Sequence, residues 1–296
     1  MVRATLEGHR YVAHAPEPVG DPSTLLDRLD GLARRGPVLV GFDLPIGLPA
    51  AYAERAGVES LVEWLPQLGS GEWAEFFSVA ERPDQITTRR PFYPQRPGGT
   101  AMRHLLQGLG VDNSNDLLRL CDRGYPGRPA AAPLFWTIGP RQVGKAAISG
   151  WRDLLIPALR SHDPEVAIWP FDGELHKLLE ARSVILVETY PAEFYRHLGI
   201  KLGSKRNPED RRANAPLLLE WAYELETDPT SEMRALMRDG FGSAPDGEDP
   251  FDAAVGLVGM LNVVLGHRAP GEPPDAITHE VEGWMLGQLP HSTLPL

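Results

Sequence analysis

The chain has 296 residues, enough for one large α/β domain or two small ones with a sizeable core. Its formal net charge of -11 at pH 7 argues against general electrostatic adhesion to nucleic acid or to anionic membranes, so such binding needs a local basic patch. The single cysteine, Cys121, excludes an intramolecular disulfide and a cysteine-rich zinc site.

The N-terminus does not resemble a signal peptide, because the first twenty residues include Arg3, Glu7 and Arg10 and lack a long apolar core. The longest small and apolar run, 253–266, contains Asn262 and falls short of the roughly 20 residues that span a bilayer. With one cysteine, these features predict a cytoplasmic protein that does not enter membranes.

The first predicted elements are a β-hairpin and a helix. Residues 2–6 and 10–15 are apolar-rich segments on either side of a short Glu-Gly turn, which is typical of a hairpin. A helix is predicted over 23–35, and a Gly-Pro pair closes it.

A strand follows the helix. Residues 38–42 form a continuous apolar run, the pattern of a strand buried on both faces of a sheet, and Asp43 comes directly after it. The proline-rich loop 44–49 leads to a helix from Ala50, and a loop just past the carboxyl end of a strand is where α/β proteins place ligands.

The region 64–150 has weak periodicity and interleaves proline, arginine and aromatic residues, which predicts a long insertion. Within it, helices are expected over 99–109 and 115–123. A polar, glycine-containing segment near its end supplies Gln142 and Lys145 as candidate substrate contacts, although both also suit an ordinary solvated surface.

The strongest sequence signal is an apolar strand that ends in a carboxylate. A strand over 166–169 and a helix over 173–181 precede the run 184–187, Val-Ile-Leu-Val, which ends at Glu188. Pro191 then suits the first turn of a helix. Glu188 is therefore predicted to lie where a buried strand gives way to a helix.

The densest basic cluster of this acidic chain follows, with Lys201, Lys205, Arg206, Arg211 and Arg212 inside twelve residues. It is a candidate nucleic-acid contact, in which Lys205 or Arg206 contacts phosphate. Because Glu209 and Asp210 alternate with these residues, a solvated loop and helix face is the competing explanation.

The last strong element is a helix from Asp249 to about residue 265. Asp249 suits its N-cap and Pro250 its first position, which places Asp252 on the first turn. Small residues over 253–259 would let this helix approach the sheet closely. Helix capping and dipole interactions explain these two acids equally well.

Together the acids predict a metal site. Asp43, Glu188, Asp249 and Asp252 end two strands and begin a helix, and oxygen ligands are what Mg²⁺ or Mn²⁺ prefers. Two such cations about 4 Å apart activate a water for phosphodiester cleavage. Spacing alone does not establish that the four acids converge.

Six segments, in order, resemble the DUF429 family: 38–49, 169–173, 187–192, 204–206, 249–254 and 282–287. They read VLVGFDLPIGLP, WPFDG, VETYPA, SKR, DPFDAA and EGWMLG. The resemblance implies a ribonuclease H-like mixed sheet flanked by helices, a nuclease-like activity, and acidic site residues matched here by Asp43, Glu188, Asp249 and Asp252.

One departure from that family concerns its first strand. Ribonuclease H-like folds begin with a central strand that bears an aspartate, whereas before Asp21 this chain has only Glu7 and Glu17. Either the first strand lies upstream of Met1, which is the expectation here, or the site is degenerate.

The sequence thus predicts one ribonuclease H-like α/β domain over 1–296, with an insertion at about 64–150. The expected function is divalent-metal-dependent, nuclease-like hydrolysis of phosphodiesters in nucleic acid. The alternative is a catalytically degenerate binding or scaffold protein of the same fold. An actin-like phosphotransferase ranks third, because no glycine-rich phosphate loop follows an early strand.

Overall fold

A computed structural model describes residues 1–139, 142–161, 165–243 and 246–290. The strands are β1 (Ala4–Glu7), β2 (Arg10–Ala13), β3 (Val38–Phe42), β4 (Val166–Ile168), β5 (Val184–Glu188) and β6 (Thr227–Pro229). The α-helices are α1 (Leu25–Ala33), α2 (Ala50–Ala56), α3 (Leu61–Trp64), α4 (Met102–Leu109), α5 (Val143–Gly150), α6 (Ile156–Arg160), α7 (Leu175–Ala181), α8 (Pro191–His197), α9 (Pro208–Ala213), α10 (Ala215–Glu224), α11 (Ser231–Asp239) and α12 (Glu248–Val264).

The chain divides into two compact units. Unit 1 comprises Met1–Gly20 and Thr189–Pro270, and unit 2 comprises Asp21–Glu188 and Gly271–Leu296. Each unit has its own sheet and its own hydrophobic core. The prediction of one domain over the whole chain stays a prediction.

Unit 2 contains a three-stranded parallel sheet of order β3-β5-β4. The central strand β5 is buried along all five residues, as its apolar sequence predicts. Strand β3 is only half-buried, so the expectation of full burial is wrong for it. Strand β3 lies at one edge of the sheet and pairs only with β5 among the described strands.

The predicted insertion contributes to the core of unit 2. The rings of Trp64 and Phe76 meet edge-on at 5.1 Å between centroids, and Phe76 stacks on Trp151 at 6.2 Å. Trp151 begins a single π-helical turn that joins α5 to α6. Aromatic residues whose spacing in the sequence shows no regular period therefore pack together in the core of unit 2.

The two helices predicted inside the insertion have different outcomes. A helix over Met102–Leu109 confirms the first. The second, over 115–123, is wrong, because two short 3₁₀ turns stand there, separated by the extended residues Leu118 and Arg119. Each 3₁₀ turn has an aspartate at its third position that accepts from the backbone N–H of the residue before the turn, a contact typical of a helix start. The second start, at the extended residue Arg119, interrupts any continuous helix over 115–123.

Unit 1 contains a three-stranded mixed sheet of order β1-β2-β6. The hairpin β1-β2 confirms the predicted N-terminal element, with Ala4 opposite Ala13. Strand β6 runs parallel to β2 and was not predicted, because three residues give no periodic pattern. The chain is thus a mixed α/β protein with small open sheets.

The longest helix, α12, packs on α8 in unit 1. A Cβ atom added to Gly259 would lie 2.4 Å from the ring of Phe194, so this glycine permits the close approach. The small residues of α12 were expected to face the sheet, and Gly259 instead faces a neighbouring helix. In the part of the chain that the structure describes, no helix is long and apolar enough to cross a membrane.

Candidate functional site

Glu188, at the end of β5 in unit 2, is 3 % exposed and fully engaged by donors. Both of its carboxylate oxygens accept from the guanidinium of Arg119, each at 2.6 Å. The backbone N–H of Ile46 donates to Oε2, also at 2.6 Å. Two-pronged pairing of this kind is the strongest form of arginine–carboxylate contact.

Arg119 is completely buried and also binds Asp122. Its Nε donates to Asp122 Oδ2 at 2.8 Å and its Nη2 to Asp122 Oδ1 at 3.0 Å. One guanidinium thus lies between two carboxylates, which balance its charge in the core. Burial raises the pKa of Glu188, and the charge and hydrogen bonds of Arg119 act against that rise.

The loop after β3 is part of this buried structure. A Cβ atom on Gly47 would lie 1.8 Å from the carbonyl oxygen of Glu282 and 3.2 Å from Nη1 of Arg119. The carboxylate of Glu282 accepts from the N–H groups of Ala50 and Leu120 at 3.0 and 2.9 Å. The loop packs tightly around the Arg119–Glu188 pair, and its role as a ligand-binding loop stays a prediction.

The other predicted site residues of unit 2 are at the surface. Asp43 is exposed and follows β3, whose last residue lies opposite Glu188 in the sheet register. Gln142 precedes α5 and Lys145 lies in its first turn, and both are exposed. The two residues between Gly139 and Gln142 lie outside the described part of the chain.

Asp252, on α12 in unit 1, lies in a different kind of environment. Its Oδ2 accepts from the ammonium of Lys205 at 2.6 Å, and its Oδ1 accepts from the hydroxyl of Tyr195. The same ammonium lies 3.0 Å from Oε1 of Glu248. We call Lys205, Asp252 and Glu248 the Lys205 cluster.

The Lys205 cluster is accessible to solvent. The Lys205 side chain is 41 % exposed, against 11 % for Asp252 and 18 % for Glu248. Burial alone would lower the pKa of Lys205, but Asp252 and then Glu248 outweigh it and raise the pKa. Burial raises the pKa of Asp252, against the opposing hydrogen bonds from Lys205 and Tyr195.

The start of α12 differs from the prediction. The helix begins at Glu248 after Gly247, so Asp249 lies inside the first turn and is exposed, and its assignment as N-cap is wrong. Glu248 and Asp252 are four residues apart and so share one face of the helix. That spacing explains why both reach Lys205.

The predicted basic patch is largely neutralised. Arg206 lies 3.3 Å from Glu248, and Arg212 pairs with Glu209 and Asp239 at 2.5 and 3.4 Å. Arg211 is completely buried. The basic residues of 201–212 therefore do not form a strongly positive surface, and the expected nucleic-acid contact is not supported.

Across the described residues, no group of three or more His, Cys, Asp or Glu side chains is arranged to hold a metal ion. Unit 1 contains Asp249 and Asp252, and unit 2 contains Asp43 and Glu188. The convergence of these four acids stays a prediction. In unit 1, the carboxylates of Asp252 and Glu248 lie close together, since both pair with the ammonium of Lys205.

Sequence reasoning missed the residues that decide the roles of these acids. Arg119 lies 69 residues before Glu188 and inside the segment wrongly predicted as a helix. Glu248 precedes the predicted helix start, and Tyr195 was not among the predicted site residues. The i, i+4 spacing of Glu248 and Asp252 was the one signal that could have pointed to their shared partner.

Searches against protein-family models, curated proteins and solved structures find no match to this chain.

Proposed function

We propose that this protein is a divalent-metal-dependent, nuclease-like phosphodiester hydrolase of ribonuclease H-like type, with Asp252 and Glu248 as metal ligands. The observation that carries the proposal is that these two carboxylates already hold one cation between them, the ammonium of Lys205, at 2.6 and 3.0 Å. The site is partly exposed, so the bound cation is exchangeable.

The residues fit Mg²⁺ or Mn²⁺ better than a cation that needs a complete protein cage. Mg²⁺ is commonly bound by one or two carboxylates, and water and substrate phosphates complete its coordination. Asp252 and Glu248 supply two carboxylates, and exposed Asp249 lies beside Glu248 on the same turn. When bound, such a cation activates water and stabilises negative charge on phosphoryl oxygens.

The remaining groups of the cluster have roles that follow from their contacts. The Tyr195 hydroxyl donates to Asp252 and so fixes the orientation of that carboxylate. Lys205 stays protonated because its pKa is raised, which makes it a donor to phosphate once it leaves the carboxylates. The Lys205 cluster therefore brings together the two predicted roles, metal binding by the carboxylates and phosphate contact by Lys205.

Glu188 is not among the proposed ligands, because Arg119 and Ile46 occupy its oxygens. The role of Asp43 as a ligand, and of Gln142 and Lys145 as substrate contacts, stays a prediction. So does nucleic acid as the substrate, because ion pairs neutralise most of the basic cluster.

A second candidate is the catalytically degenerate protein of the same fold, which binds a partner without hydrolysis. The specific observation in its favour is the buried Arg119–Glu188 pair. An acid at the end of the central strand, where the family resemblance implies a site residue, is here neutralised by an arginine inside the core.

Titration calorimetry with Mn²⁺ on the full chain tests the two candidates. The hydrolase predicts binding that is lost in Asp252→Asn and in Glu248→Gln. Glu232→Gln is the matched control, because Glu232 also lies in the first turn of a helix of unit 1 and is exposed. Folded wild-type protein that binds no Mn²⁺ would exclude the hydrolase and leave the binding protein.

If Mn²⁺ binds, hydrolysis assays on single-stranded, duplex and hybrid nucleic acids and on a small phosphodiester identify the substrate class. Activity that requires Mg²⁺ or Mn²⁺ and disappears in Asp252→Asn is the expected result. Equal activity in wild type and Asp252→Asn would show that the Lys205 cluster is not the catalytic site.

A further inference from the structure

Arg211, on α9, is completely buried beside the Lys205 cluster and bonds to backbone oxygens. Its Nη1 donates to the carbonyl of Lys205 at 2.5 Å. Its Nε and Nη2 donate to the carbonyls of Gly240 and Gly242 at 2.6 and 2.7 Å. One side chain therefore joins the loop of Lys205 to the turn over 240–242.

This contact pattern sets Arg211 apart from Lys205, Arg206 and Arg212 in the same segment. Lys205, Arg206 and Arg212 all pair with carboxylates, whereas no carboxylate of the described residues lies within ion-pair distance of Arg211. Burying a guanidinium without a counter-charge is costly, and charge-assisted bonds to three carbonyls offset part of that cost. The arrangement fixes backbone rather than balancing charge.

The turn bound by Arg211 leads into α12. Phe241 has a φ of 61°, a left-handed conformation that is uncommon for a residue with a Cβ atom. Gly247 precedes the first residue of α12, and a Cβ atom there would lie 2.3 Å from Nη2 of Arg211. The guanidinium thus contacts the backbone on both sides of the cluster, at Lys205 and directly before Glu248.

We propose that Arg211 is a positioning residue for the Lys205 cluster: it fixes the backbone of Lys205 relative to the start of α12, and so places the ammonium between Asp252 and Glu248. The inference rests on the proposed function only in treating this cluster as the site. Arg211 contacts neither carboxylate in the described hydrogen bonds and acts through Lys205.

A double-mutant cycle made in two backgrounds tests this role. Lys205→Met, Asp252→Asn and the double variant give the coupling between Lys205 and Asp252 from chemical denaturation of the full chain. The cycle is then repeated with Arg211→Lys. A purely structural arginine would lower the stability of all four proteins equally and leave the coupling unchanged.

We expect the coupling to be measurable in the wild-type background and mostly lost with Arg211→Lys. Arg212→Lys is the matched control, because Arg212 is the next residue on α9 and pairs with carboxylates, and it should leave the coupling intact. Coupling that persists in Arg211→Lys, or that is absent from the wild type, would overturn the proposal.

If Arg211→Lys does not fold, Gly247→Ala provides a second route, because the added Cβ would lie 2.3 Å from Nη2 of Arg211 and 2.6 Å from the carbonyl oxygen of Phe241, so the guanidinium and the turn that it binds must shift. The same cycle in that background should show the same loss of coupling, and an unchanged coupling would again overturn the proposal. The cycle is measured without metal, so its result is independent of whether Mn²⁺ binds. Failure of the proposed function and failure of this inference are therefore distinguishable.

Discussion

Each unit of the molecule places one basic side chain between two carboxylates, but the two clusters differ in exposure. In unit 2, Arg119 and Glu188 are 0 % and 4 % exposed at their side chains, and donors hold both oxygens of Glu188. In unit 1, the Lys205 side chain is 41 % exposed. Breaking the buried, bidentate pair would leave a charge without a partner in the core, whereas water can solvate the exposed ammonium if it leaves its carboxylates.

The difference shows why a carboxylate at the end of a strand is a weak functional signal by itself. Glu188 has the more convincing position in the sequence, and yet its contacts are those of a core ion pair. Asp252 has the simpler structural explanation, as part of a helix's first turn, and yet its partner Lys205 is partly exposed to solvent. Glu188 and Asp252 differ in the solvent exposure of the basic side chain that pairs with each of them, and not only in their positions in the sequence.

The largest expected effect is on the stability of unit 2. Arg119→Met leaves Glu188 and Asp122 buried without their counter-charge, so the free energy of unfolding should fall by about 3–5 kcal/mol. Arg82→Met is the control, because Arg82 and Asp84 are 64 % and 68 % exposed, and its cost should be much smaller than that of Arg119→Met. Chemical denaturation measures both, and equal costs would contradict the contrast between buried and exposed pairs.

The next effect concerns the exchange of cations in unit 1. Lys205→Met removes the ammonium that competes for Asp252 and Glu248, so Mn²⁺ should bind roughly tenfold more tightly, equivalent to about 1.4 kcal/mol. Lys177→Met is the control, since Lys177 pairs with Glu174 on an exposed surface. Weaker Mn²⁺ binding by Lys205→Met in calorimetry would contradict competition between the ammonium and the metal.

A smaller effect is expected at alkaline pH. Because the pKa of Lys205 is raised in the folded protein, its contribution to stability is complete below about pH 10.5, the unfolded value, and is lost as pH rises further. The stability difference between wild type and Lys205→Met should therefore shrink from pH 9 toward pH 11.5. A difference that stays constant over this range, measured by denaturation, would show that the pair does not raise this pKa.

The smallest expected effect is at the rim of the Lys205 cluster. Arg206 is 74 % exposed and pairs with Glu248 at 3.3 Å, so Arg206→Ala should change the free energy of unfolding by less than about 0.5 kcal/mol. Its effect should diminish further in high salt. A cost comparable to that of Arg119→Met would mean that this exposed pair is not screened by water.

Much of the fold follows from local sequence patterns. The hairpin β1-β2, the strands β3 and β5, the start of α8 at Pro191 and the helix α12 all match the predictions closely. Apolar runs and proline positions act over a few residues, which is why they can be read from sequence. The misplaced helix at 115–123 shows the limit, because the backbone is extended at Leu118 and Arg119 and divides the segment into two short turns.

The candidate site was predictable in its residue types but not in its contacts. Asp252 and Lys205 were both named from sequence, as metal ligand and phosphate contact, but nothing in the sequence paired them across 47 residues. Arg211 was grouped with its basic neighbours, although burial gives it a different role. Side-chain partners depend on which loops meet, and local patterns carry no such information.

The sequence by itself determined that this chain is an α/β protein with carboxylates at two strand ends and at the start of a helix that contains several small residues. Only the tertiary structure decided which of those acids pairs with a guanidinium in the core and which pairs with a half-exposed ammonium. The physical reason is that charge is balanced by proximity in space. Arg119 pairs with Glu188 across 69 residues of sequence, and this pair is buried in the core of unit 2. The pair of Lys205 with Asp252 in unit 1 is partly exposed to solvent.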